Sequence, residues 1–113
     1  MTKVKLERIN SQMIKELSEI IYLDIKDEML KKATITAAKI TPDFSSAKIY
    51  YTYLGDYDRE EFQKEITNAA PFLRHKLSER MDLRHTPELH FTYDQSIEYG
   101  ANIEKILSNL NKN

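Results

Sequence analysis

An α+β layer fold, in which a small mixed sheet carries helices on one face, is what this sequence predicts. Three observations carry the expectation. Two long stretches repeat apolar residues at spacings of three and four, the mark of a helix buried along one stripe, and three short stretches alternate apolar and polar side chains, the mark of a half-buried strand. Their order supplies the third observation. A helical crossover separates the second strand from the third, and such a connection is right-handed and makes those strands parallel neighbours.

The first helix is expected over residues 4–23, where Leu6, Ile9, Met13, Ile14, Leu17, Ile20 and Ile21 line one side. Ala33 to Ile40, ATITAAKI, is β-branched and alternating, and it stops at Thr41-Pro42-Asp43 because proline cannot donate to a ladder. Ala47 to Leu54, AKIYYTYL, is richer still in strand formers, with Ile49, Tyr51 and Tyr53 on one face and Lys48, Tyr50 and Thr52 on the other. A short turn around PDFSS joins the two as a hairpin.

Gly55 to Asp58 forms a turn, and Asp58 with Glu61 three residues later is a capping pair for a helix starting near Arg59. Its apolar positions Phe62, Ile66, Ala69, Leu73, Leu77 and Met81 keep helical spacing straight through Pro71. An interior proline removes one backbone hydrogen bond and crowds the preceding turn, at a cost of about 3 kcal/mol. Two helical pieces meeting at a bend are therefore expected. Glu88 to Tyr93 reads as the third strand after a boundary at Pro87, and a last helix is expected from about Ile97 to Leu110, followed by a fraying polar tail at 111–113.

At 113 residues, 41% hydrophobic and 31% charged, the chain suits one domain, spanning residues 1–110. Cysteine is absent, which excludes disulfides, thiolate metal sites and cysteine nucleophiles. No apolar run approaches the roughly 20 residues of a membrane span, and the opening MTKVKLERIN lacks the apolar centre of a secretory leader. A soluble, cytoplasmic, monomeric protein with no membrane partner is expected. The net charge of −1 conceals segregation: residues 1–15, 31–54 and 66–85 are basic on balance, and 16–30, 55–65 and 86–113 acidic. Either a basic face gathers opposite an acidic one on folding, or the charge is simply solvated.

Catalytic chemistry has no foothold here. Asp24, Asp27 and Glu28 sit at a helix exit and Asp56, Asp58, Glu60 and Glu61 at a helix start, where capping and the macrodipole account for them. His75, His85 and His90 show no ligand spacing, so neither a metal nor a cofactor is expected. With only two glycines, Gly55 and Gly100, no phosphate-cradling loop can be built. The tyrosines of IYYTYLGDY suit base stacking or ordinary strand packing.

What remains is the cationic set Arg74, Lys76, Arg80 and Arg84, with His75 and His85 beside it, on the helix after the proline and the loop that follows. Arginines near exposed helix N–H groups suit phosphate oxygens. The alternative is solvated charge paired with Glu79 and Asp82.

The order of motifs resembles that of the ribosome-binding factor A family, and the resemblance spans nearly the whole chain. Its elements are an R-x-N-x-x-I-like opening at Arg8 to Met13, the hairpin TITAAKITPDFSSAKIYYTYL, the segment NAAPFLRHKLSERM, the string LRHTPELHFTYDQS from Leu83, and the closing GANIEKIL. The LRxxPxLxFxxDxS pattern is the most specific of these. The resemblance implies a type II KH-like fold in which the nucleic-acid-clamping GxxG loop gives way to an interhelical bend usually written Ala-x-Gly. Ala69-Ala70-Pro71 is the matching triplet, with proline in the glycine place.

It also implies a non-enzymatic role: binding free 30S small ribosomal subunits near the 5′-terminal helix region of 16S rRNA and assisting late maturation and rRNA processing. On that reading Arg74, Lys76, Arg80 and Arg84 are the leading rRNA contacts. Lys3, Lys5, Arg8, Lys31 and Lys32 form a second set. The competing expectation is a protein-interaction module with a KH-like shell, acting through the acidic faces around Asp24 to Glu28 and Asp56 to Glu61.

Overall fold

A computed structural model describes residues 3–96. Helix α1 runs over Lys3–Asp24, a single 3-10 turn over Leu30–Lys32, strand β1 over Ala33–Ile40, β2 over Ser46–Tyr53, α2 over Arg59–Arg80 and β3 over Glu88–Tyr93. The helix expected at 97–110 and the tail lie outside the described residues. The sheet order is β1-β2-β3, with β1 antiparallel and β3 parallel to β2, as the crossover through α2 requires.

Alternation then decides which side chains go inward. Ile35, Ala38 and Ile40 of β1, Ala47, Ile49 and Tyr51 of β2, and Leu89 and Phe91 of β3 are buried against Met13, Leu17, Ile20 and Ile21 of α1 and Phe62, Ile66, Leu73 and Leu77 of α2. Both helices therefore cover one face. An aromatic cluster closes one end of this layer: Tyr53 stacks on Phe62 at 4.1 Å, Tyr51 on Phe62 at 5.6 Å, and Tyr93 meets Tyr51 edge-on at 5.8 Å. Such pairs add about 0.5–1.5 kcal/mol each beyond area burial.

Two amides fasten the helices to the sheet. Gln63 of α2 accepts from the Tyr51 hydroxyl at 2.6 Å and donates to the Phe91 carbonyl at 2.8 Å. Asn10 of α1 accepts from the Ile40 N–H at 2.9 Å.

The hairpin turn is a side-chain network. The Asp43 carboxylate accepts from the Ser45 N–H and hydroxyl and from the Thr41 hydroxyl, and Phe44 takes a left-handed φ of 64° with its ring buried. That conformation costs a non-glycine residue roughly 1–2 kcal/mol, offset by the buried ring and the bonds on either side. At Gly55, φ is 106° and a Cβ would lie 3.0 Å from the Tyr57 ring, so glycine is required there.

One expectation is corrected. Helix α2 is a single 22-residue element that passes through Pro71, not two helices meeting at Ala69-Ala70-Pro71. Pro71 forfeits only the bond it would donate to the Thr67 carbonyl, while Ile66, Leu73 and Leu77 are buried on one continuous stripe on both sides of it. Packing along the whole stripe outweighs one missing hydrogen bond. The helix is capped as expected, with the Asp58 carboxylate accepting from the Glu61 N–H at 3.1 Å.

Candidate nucleic-acid interface

Because Leu73 and Leu77 point into the core, Ala70, Pro71, Arg74, His75 and Ser78 of α2 face outward together. The chain leaving α2 doubles back through residues 81–87, so that β3 begins alongside them. His85, Thr86, Glu88, Leu89 and His90 form the facing wall of a groove of about 680 Å³. Three imidazoles and one guanidinium border this space against a single carboxylate. Its lining thus offers imidazole nitrogens and a guanidinium as hydrogen-bonding groups.

Arg74 builds the groove as well as charging it. Its Nε and Nη2 donate to the Thr86 carbonyl at 3.2 and 2.9 Å, which pins the returning loop to the helix. Lys76 stands 3.9 Å from the Glu79 carboxylate, with its ammonium 5.7 Å from the Phe72 ring. Arg84 is exposed and has no partner among the described residues.

Arg80 is employed elsewhere. Its Nη1 donates to Glu16 at 2.8 Å and to Glu19 at 2.6 Å, both on α1, and these carboxylates, Glu16 first, hold the guanidinium above its ordinary pKa. It joins the two helices and points away from a ligand role.

The second cationic set is divided by the fold. Lys3 opens α1, Lys5 and Arg8 lie on its exposed side, and Lys31 and Lys32 follow its far end, so about 30 Å of helix separates the two groups. Asn10 meets the end of β1, and the Ser45 carbonyl accepts from the N–H of Glu88 at the start of β3. Lys5 and Arg8 thus share the groove's end of the sheet, and Lys31 and Lys32 sit at the other. The acidic segments have local tasks: Asp27 accepts from the N–H groups of Met29 and Leu30, and Asp58 caps α2. No group of histidines and carboxylates among the described residues is arranged to hold a metal, and no described helix is long and apolar enough to cross a membrane.

A family model described as ribosome-binding factor A matches residues 5–107, which includes both walls of the groove. The chain belongs to the ribosome-binding factor A family. Over 113 residues it is 43% identical to the ribosome-binding factor A of Staphylococcus carnosus, covering 99% of this chain and 98% of that one. Its fold is similar to the crystal structure of ribosome-binding factor A from Thermus thermophilus, with a TM-score of 0.69 and 25% identity over 82% of this chain and 97% of that one. It is also similar to a Thermus thermophilus ribosome-binding factor A homology model fitted into a cryo-EM map of a 30S complex, with a TM-score of 0.63 and 22% identity over 76% and 91% of the two chains.

The α+β, KH-like order read from the sequence is thus the fold of the ribosome-binding factor A family. His90 is the groove residue that sequence reasoning did not place there. Alternation along β3 puts it on the face away from the helices, but only the return of the chain beside Pro71 makes it part of a wall.

Proposed function

We propose that this chain is a cytoplasmic, non-catalytic factor that binds free 30S subunits through 16S rRNA, near its 5′-terminal helix region, and assists late maturation and 16S rRNA processing. Membership of the ribosome-binding factor A family supports the ribosome as partner, and the related Thermus thermophilus protein has been fitted into a 30S complex. The observation that carries the reading to particular residues is the groove beside Pro71, bordered by Arg74, His75, His85 and His90. Arg84 stands exposed on the loop that supplies one of its walls. Cationic donors around a cleft contact phosphate oxygens and release counterions on binding.

The test is co-sedimentation of purified protein with free small subunits over a series of salt concentrations. Replacing Arg84 with glutamine is expected to weaken binding and to lower the slope of log affinity against log salt by about 1, the value for one phosphate contact. Lys76, on the other side of α2 near Phe72 and Glu79, is outside the groove. Unchanged affinity and slope would overturn the assignment of this surface.

A further inference from the structure

Among the described residues, the face of the sheet turned away from the two helices is uncovered, and it is a second, differently built surface. Strand register places its side chains in rows. Lys39 pairs with Lys48 and Lys48 with His90, making one row of two ammoniums and an imidazole across all three strands. In the next row Ala37 pairs with Tyr50 and Tyr50 with Thr92. Tyr50 is thereby the one tyrosine of β2 on this face, since Tyr51 is buried and Tyr53 stacks on Phe62 in the layer beneath the helices.

Around the Tyr50 ring the neighbours are small or cationic. Ala37 and Thr92 flank it within its row and rise no higher than a methyl or hydroxyl. The Lys39 and Lys48 ammoniums lie 5.9 and 5.8 Å from its centroid. Two carboxylates share the face, Asp94 reaching Thr36 across β2 beside the Tyr50 row. Glu88 is one row beyond the lysines, 3.9 Å from the His90 ring, and Asp94 is held by the Thr36 hydroxyl and by Ser96.

An aromatic ring with two ammoniums of the neighbouring row beside it, on a sheet face the described helices leave uncovered, matches the chemistry of an unpaired nucleotide. A base stacks on the ring, and the neighbouring phosphates of the strand meet the two lysines of the adjacent row. A duplex cannot use such a platform, because its bases are already stacked on one another.

We propose that the open sheet face binds single-stranded RNA, with one unpaired base on Tyr50 and the adjacent phosphates on Lys39 and Lys48. His90 belongs both to the lysine row and to the groove wall, so a strand leaving the groove over the edge of β3 reaches Tyr50 next. The inference rests on the chain being an rRNA binder, and adds an unpaired segment as the species recognised and a second surface as its site.

The experiment is fluorescence anisotropy with a labelled oligouridine of about ten nucleotides and a labelled RNA hairpin of equal length. It is run on the full chain, on Tyr50→Leu, on Tyr50→Phe and on Lys39→Gln/Lys48→Gln. Stacking of one base on an aromatic ring is lost in Tyr50→Leu, which is expected to weaken oligouridine binding roughly 5- to 150-fold, while Tyr50→Phe keeps it. The lysine pair is expected to lower the salt slope by about 1.4, the single-strand value for two phosphates.

Three outcomes overturn the proposal: no binding of oligouridine by the parent, equal binding by Tyr50→Leu, or a hairpin held as tightly as the single strand. Should Tyr50→Leu show a lowered unfolding midpoint, the salt slope of the lysine pair decides alone. Subunit co-sedimentation of Arg84→Gln reads the function proposed above separately, so either reading can fail without the other.

Discussion

Asp43 shows how far a single exposed side chain can be shifted by its local bonds. Led by the Ser45 N–H, with the hydroxyls of Thr41 and Ser45 behind it, three donors hold its carboxyl at about 2, well below its ordinary value of 3.8. Those bonds favour the ionised form in the folded state only. The stability they confer is therefore complete above about pH 4 and lost as the pH falls towards about 2. Urea midpoints measured across that window are expected to fall more steeply for the parent than for Asp43→Asn. Parallel curves for the two proteins would show that the turn contributes nothing through this charge. The same turn was legible in the sequence only as a connection: Pro42, Asp43 and the two serines announce a turn, but not that Phe44 adopts a left-handed φ with its ring in the core.

At the scale of elements, the instructive case is α2. The apolar spacing of Phe62, Ile66, Leu73 and Leu77 was readable, as were the Asp58 cap and the bounds of β1 and β3 to the residue. These are local signals, set by side-chain period and by caps. Continuity through Pro71 was not readable, because it depends on how strongly the two half-stripes are held by the same sheet. Pro71→Ala is expected to raise the melting temperature, since alanine restores a donor to the Thr67 carbonyl and carries no ring to clash with the preceding turn. Its subunit binding is expected to weaken, because Pro71 lines the groove, and Pro71→Gly, which removes the same ring, is expected to weaken it too while gaining less stability. A Pro71→Ala protein that binds subunits as tightly as the parent would mean that packing alone sets the groove's shape.

For the molecule as a whole, charge divides into fastening and offering. Arg80 ties α2 to α1 through two carboxylates, and Arg74 ties the 81–87 loop to α2, while Lys76, Arg84, Lys39 and Lys48 keep their charge at the surface. Arg80→Gln is expected to lower the thermal midpoint by several degrees, since one substitution leaves both Glu16 and Glu19 without their partner. The salt slope of RNA binding is expected to stay as it was. Arg84→Gln is expected to do the reverse. A slope that falls with Arg80→Gln in protein shown to be folded would return that residue to the binding surface. Residue types and helical spacing grouped these arginines together in the sequence, and only the partner across the helix interface separates them.

The two amides that join helices to sheet carry a further consequence. Asn10 occupies the outward N–H of Ile40 on one margin of the sheet, and Gln63 occupies the outward carbonyl of Phe91 on the other. A peptide or a second copy arriving as a fourth strand needs an unbroken run of free backbone groups, and each margin is interrupted by a side chain already bonded there. Strand addition is thereby discouraged on both sides, which limits edge-to-edge aggregation.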